Sequence, residues 1–164
     1  MLVLLIKIKG ENTQNLIECE EMEISELRKE EEKAWDSYVY NSNSSTFYHQ
    51  IGWRNAVQKT YKHKPVYLVA KEGGEIRGIL PMFLMRSMIF GKKLVSVPFA
   101  PYGGVCADDE IAEKMLIEEA IRVAEEYDVD YLELRTISGN NVKGFIIQSS
   151  YAVSYTHLTL PTKA

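Results

Sequence analysis

Apolar and polar positions give the chain its first outline. Leu2 to Ile6 is an apolar run, and Ile6 and Ile8 then alternate with Lys7 and Lys9. A period of two predicts a strand with one face towards a core, and Gly10 followed by Asn12 breaks it. A loop or hairpin partner is expected around Leu16 to Cys19. From Ser25 to Tyr40 the period becomes helical: Ala34, Trp35, Tyr38 and Val39 form a stripe, Ser25 is placed to cap, and Glu26 suits a first turn. Asn41 to Ser45 (NSNSS) ends that helix. A second begins near His49, carries Ile51, Trp53, Ala56, Val57 and Tyr61, and stops at the turn Lys62-His63-Lys64-Pro65.

Beyond Pro65 the residues turn β-rich. Val66 to Lys71 and Glu75 to Arg86 read as a hairpin joined by Gly73-Gly74. Pro81 lies inside the second run, so that strand is expected to be an edge, to bulge or to break there. A further strand, Lys93 to Val97, follows a turn at Gly91. Pro98 to Asp109 reads as a loop ending in two capping residues, Asp108 and Asp109. The helix after it carries Ile111, Ala112, Met115, Leu116, Ala120, Val123, Ala124 and Tyr127 on one broad face. Tyr131 to Arg135 closes the pattern as a strand. The order β-α-α-β-β-β-α-β describes an α/β domain: a mixed sheet with helices packed on it.

The last residues change the boundaries of that reading. Val153 to Thr162 reads VSYTHLTLPT, which is what the codons GTC TCT TAT ACA CAT CTG ACG CTG CCG ACG would spell, and that string resembles the end of a transposon-based sequencing adapter read in frame. Residues 153–164 are therefore expected to be a non-native tail, and residues 1–152 one domain, a fragment without its continuation. His157 is accordingly kept out of every candidate site. Genomic sequence beyond the codon for Ala152 decides the point.

Composition narrows the class. About 150 residues is the size of one ordinary domain. A net charge of -4, or -5 without Lys163, argues against a broad nucleic-acid surface, so no DNA partner is expected. Cys19 and Cys106 are far apart and lack metal-ligand spacing, which suggests reduced thiols in a cytoplasmic domain rather than a disulfide or a metal site. The apolar start is too short and too soon charged for a membrane span.

No strong catalytic signature is present: there is no Walker loop, no G-x-G-x-x-G, no G-x-S-x-G and no H-E-x-x-H. Three weaker constellations remain. FYHQIGW places Tyr48, His49, Gln50 and Trp53 at the amino end of a helix, where backbone N–H groups favour an anion. Arg54 follows in the helix, and Lys59, Lys62, His63 and Lys64 lie at its far end, a set suited to a phosphate; the plainer reading makes Tyr48 and Trp53 core and His49 a satisfied polar group. In the loop from Pro98 to Cys106, Gly103-Gly104 allows close backbone approach and Tyr102 offers an aromatic face; the loop lies where open α/β sheets bind ligands, or it is a tight turn. Glu133 and Arg135, opposite Leu132 and Leu134, point into a cleft or pair with each other.

Taken together, FYHQIGW, VYLVAKEGGEIRGILPMFL, LVSVPFAPYGGV and YLELR resemble the amino-terminal domain of FemAB-family proteins, acyl transferases of the GNAT superfamily, over about Ser25 to Thr136. They are also similar to the FemAB-like proteins of bacterial exopolysaccharide systems. The resemblance implies a GNAT-like sheet, one of two such domains, acting in cell-wall or exopolysaccharide biosynthesis. It implies a nucleotide- or lipid-linked sugar or peptide as acceptor, and an aminoacyl-tRNA or other acyl donor reached through a second domain, with no cofactor. The fragment alone would bind the acceptor and be inactive. Tyr48, Arg54, Tyr102, Gly103, Gly104 and Arg135 are expected around one cleft, with Arg54 or a nearby lysine on a phosphate; catalytic residues are not assigned. Two other classes fit the pattern less well: an acetyl-CoA-dependent GNAT N-acetyltransferase, whose pyrophosphate loop finds no match, and a non-catalytic binding or scaffold domain.

Overall fold

The computed structural model describes residues 2–7, 22–87, 91–136 and 146–148. The expected partner at Leu16 to Cys19, the break at Gly10 to Asn12, the thiol of Cys19 and the tail 153–164 lie outside the described residues. The strands are β1 (Leu2–Lys7), β2 (Met22–Glu26), β3 (Lys64–Glu72), β4 (Glu75–Ser87), β5 (Gly91–Val95), β6 (Cys106–Ala107), β7 (Tyr131–Thr136) and β8 (Ile146–Gln148). The helices are α1 (Glu32–Asn41), α2 (Ile51–Tyr61) and α3 (Glu110–Glu126). The strands form one sheet in the order β2-β3-β4-β5-β7-β1-β8, with β6 also on β4. Every pairing is antiparallel except β5 with β7, which α3 joins as a crossover.

The central hairpin is apolar on both faces because both are covered. Val66, Leu68, Ala70, Leu80, Met82 and Leu84 pack with Leu94, Leu132 and Leu134 beneath α3. Tyr67, Val69, Ile79 and Phe83 meet Trp35 and Val39 of α1 and Ile51 and Val57 of α2. A sheet buried on two sides loses the alternation of a half-exposed one, which is why VYLVA and GILPMFL read as continuous apolar runs. α3 turns Ala112, Leu116, Ile117, Ala120, Val123 and Ala124 inward, while Ile111, expected on that face, is half exposed.

Two expectations are corrected. Ser25 does not cap a helix: it sits in β2 opposite Val69, and α1 begins only at Glu32 after a 3₁₀ turn at Lys29–Glu31. Pro81 neither ends nor bulges its strand, but lies opposite Tyr67 in the middle of β4. On the other edge β5 pairs from Phe83 onward and β6 with Gly78 and Ile79, so Pro81 falls between them, where no ladder partner among the described residues needs its missing amide. The bulge falls at Arg77, between Gly78 and Ile76, which face Ala70 and Lys71. Among the described residues no helix is long and apolar enough to cross a membrane.

Candidate functional site

α1 builds the entrance to α2. The Trp35 indole N–H donates to the His49 carbonyl at 2.7 Å, and the Asp36 carboxylate accepts the Ile51 amide at 2.9 Å. That carboxylate occupies the helix end where the sequence suggested an external anion, so the dipole of α2 is already answered from within the chain. At the far end Lys62 closes the helix in the left-handed region, φ 59°.

His49 is buried, 2% exposed. The Thr46 backbone N–H donates to its Nδ1 at 3.0 Å, which makes Nδ1 an acceptor and leaves Nε2–H to donate to the Gly104 carbonyl, also at 3.0 Å. Burial holds this imidazole below the ordinary histidine range, against the opposing pull of its bonds to Gly104 and Thr46. The plainer reading of His49 as a satisfied polar group therefore holds, with a loop carbonyl as its partner.

The loop that His49 meets leaves β5 in a constrained path. Ser96 is buried, and its amide donates to the Glu133 carbonyl at 2.8 Å, continuing the parallel ladder for one more residue. The chain then departs at Val97, φ 48°, and Phe99 has φ 66°. Both are left-handed values that cost a non-glycine residue about 1–2 kcal/mol. Gly103 brings the loop back with φ 151°, and a Cβ there would sit 2.6 Å from Val97 Cγ2. Glycine is required by both the backbone and the space.

Of the expected site residues, the structure brings Tyr48, Tyr102, Gly103, Gly104 and Arg135 together. Tyr48 and Tyr102 meet edge to face at 5.6 Å between ring centres, and Tyr48 also packs against Trp53 at 5.0 Å. Arg135 runs beneath the same loop: its Nη1 donates to the Ala100 carbonyl at 2.7 Å, while Nε and Nη2 both reach Glu133 Oε1 at 2.7 Å. Of the two readings of Glu133 and Arg135, the structure shows the pairing. Arg54 is engaged elsewhere: its Nη2 donates to Glu32 Oε1 at 2.6 Å and the guanidinium lies over the Tyr67 ring at 5.8 Å. Lys64 donates to the Tyr127 hydroxyl at 2.7 Å.

Phe99, which the sequence did not single out, joins aromatic residues that it did. Phe99 stacks on Tyr61 at 4.2 Å and both stay about half exposed. His63 lies in the same stack, 6.0 Å from Tyr61. The Trp53 indole N–H is buried with no partner among the described residues. The two proline residues flanking Phe99 are the only local sign that its backbone is special. No cluster of metal-ligating side chains occurs among the described residues.

Among solved structures, the chain is similar to a GNAT family acetyltransferase from Staphylococcus aureus, with a TM-score of 0.55 over 82% of this chain and 98% of that one, at 10% identity. The fold is GNAT-like. This is the fold class expected from the sequence, a mixed sheet with flanking helices. A functionally unknown conserved protein from Staphylococcus epidermidis also aligns, with a TM-score of 0.46, 12% identity and 90% of this chain, which spans 57% of that one. No family model and no curated protein sequence matches the chain.

Proposed function

We propose that this chain is the acceptor-binding part of a FemAB-like aminoacyl or acyl transferase acting in bacterial cell-wall or exopolysaccharide biosynthesis. The observation that carries this reading is the meeting of two segments far apart in sequence, Tyr48-His49 and Tyr102-Gly103-Gly104, through a ring contact and a buried hydrogen bond. They make one aromatic wall beside the buried backbone of Gly103 and Gly104. Such a wall suits an acceptor held in a fixed pose, with its amine presented to an activated acyl carbonyl brought by a second domain. The chain supplies placement in this reading; oxyanion stabilisation and proton removal belong to groups outside it.

A coenzyme A pyrophosphate is poorly served by the helix end where a GNAT acetyltransferase would cradle it. At α3 the Asp109 carboxylate takes the Ile111 and Ala112 amides at 2.9 and 2.8 Å, and Glu110 and Glu113 add negative charge in the first turn. This favours the FemAB-like reading over an acetyl-CoA enzyme. Calorimetric titration of the chain with a nucleotide-linked muramyl peptide and, separately, with acetyl-CoA tests it. Heat from the first that is lost in Tyr102→Ala is expected; micromolar binding of acetyl-CoA with none of the peptide overturns the reading.

A further inference from the structure

Arg135 touches the loop between β5 and β6 at its start, its middle and its end. Its backbone N–H donates to Ser96 Oγ at 2.8 Å, its guanidinium to the Ala100 carbonyl at 2.7 Å, and its own carbonyl accepts the Gly103 amide at 3.1 Å. Between those points the chain rises through the two left-handed residues Val97 and Phe99 and descends through Tyr102. The feet of this arch are in contact, since Gly103 packs directly on Val97. Nothing in an isolated segment favours such a path: two non-glycine residues at positive φ persist only where the surroundings over-determine them.

We propose that Arg135 is a positioning residue whose task is to hold this arch, and with it Tyr102 and Phe99, in place. Glu133 makes it suited to that task. By taking Nε and Nη2 on one oxygen, Glu133 fixes the guanidinium plane and neutralises its charge, leaving Nη1 aimed at the Ala100 carbonyl. The pair is mostly shielded, 16% and 12% exposed for the two side chains. A charge-compensated, shielded guanidinium is a strut rather than a receptor for a phosphate. The inference concerns the architecture of the arch and stands whether the group transferred is aminoacyl, acetyl or neither.

Hydrogen exchange on the chain alone, without substrate, tests it in the wild type and in Arg135→Met, Arg135→Lys and Glu133→Gln. Removing a charged hydrogen bond should speed exchange of the Gly103 and Ser96 amides, which are hydrogen-bonded at the two feet of the arch, about tenfold or more in Arg135→Met. The amides of α3 and of the β3–β4 hairpin should keep their protection. Arg135→Lys, which keeps the charge but lacks the planar fork, should fall between, and Glu133→Gln reads the same arch where Arg135→Met fails to fold. Unchanged arch amides in Arg135→Met, or equal loss at every amide in all three variants, overturns the proposal. A saturating shift of the Arg135 Nε–H resonance on titration with inorganic pyrophosphate also overturns it, because the side chain would then be a ligand-binding group.

Discussion

The His49 imidazole donates to the Gly104 carbonyl across 55 positions of sequence, at 3.0 Å and out of contact with water. Its other nitrogen is committed to the Thr46 amide, so the ring has no acceptor to spare and must be neutral to keep both bonds. Protonation would set an N–H of the ring against the N–H of Thr46.

The pH dependence follows from that. The folded value lies below the unfolded value of about 6.5, so the neutral ring contributes stability that is present above the unfolded value and lost as pH falls through the folded one. Melting temperature should fall on acidification below about pH 6.5 in the wild type and fall less in His49→Gln, which should also be less stable at neutral pH by about 1–3 kcal/mol. Burial lowers His63 as well, so the comparison is made in a His63→Gln background. Equal acid sensitivity with and without His49 would refute the assignment.

Two glycines should respond in opposite directions. Gly103→Ala adds a Cβ onto Val97 at a backbone angle that alanine rarely adopts, and should destabilise the chain by about 1–3 kcal/mol. Gly52 is exposed in α2 with nothing within 4 Å of a built Cβ, so Gly52→Ala should stabilise by about 0.5–1 kcal/mol. Urea unfolding of the two variants side by side checks the pair.

Tyr67 buries its hydroxyl with no hydrogen-bond partner among the described residues, and burial pushes the phenol far above its ordinary range. Tyr67→Phe removes an unsatisfied group while keeping the ring that packs on Trp35 and Phe83. It should be neutral or stabilising by about 1 kcal/mol, read from the denaturation midpoint. A loss of more than that would show that the hydroxyl has a partner.

Asp109 caps α3 by accepting two amides. Asp109→Ala should cost about 0.5–2 kcal/mol, and Asp109→Asn much less, since an amide oxygen still caps. Thermal unfolding followed by circular dichroism distinguishes them.

What could be read in the sequence was what local pattern governs. Gly73-Gly74 flanked by β-rich runs placed the β3–β4 hairpin, and the stripe Ala112, Leu116, Ala120, Val123 placed α3, because turn chemistry and period act within a few residues. Ser25 and Glu26 fall at the start of a helix in the sequence because Glu26, Leu27 and Lys29 favour one, while the strand identity of Met22–Glu26 comes only from pairing with β3. The site divided in the same way. Tyr102 and the two glycines were visible as loop chemistry. The Asp36 cap on α2, the commitment of Arg54 to Glu32 and the exposed stack of Phe99 on Tyr61 depend on neighbours that no local window contains.

The placement of β1 between β7 and β8 bears on how a ribosome delivers this chain. Leu2 lies opposite Thr136, so β1 has to wait until residues 131–136 have been made before its neighbour β7 exists. The β3–β4–β5 meander can meanwhile close on its own short loops. An apolar strand thus stays unpaired while the residues between β1 and β7 are made, and a nascent-chain chaperone would find a foothold at residues 2–7.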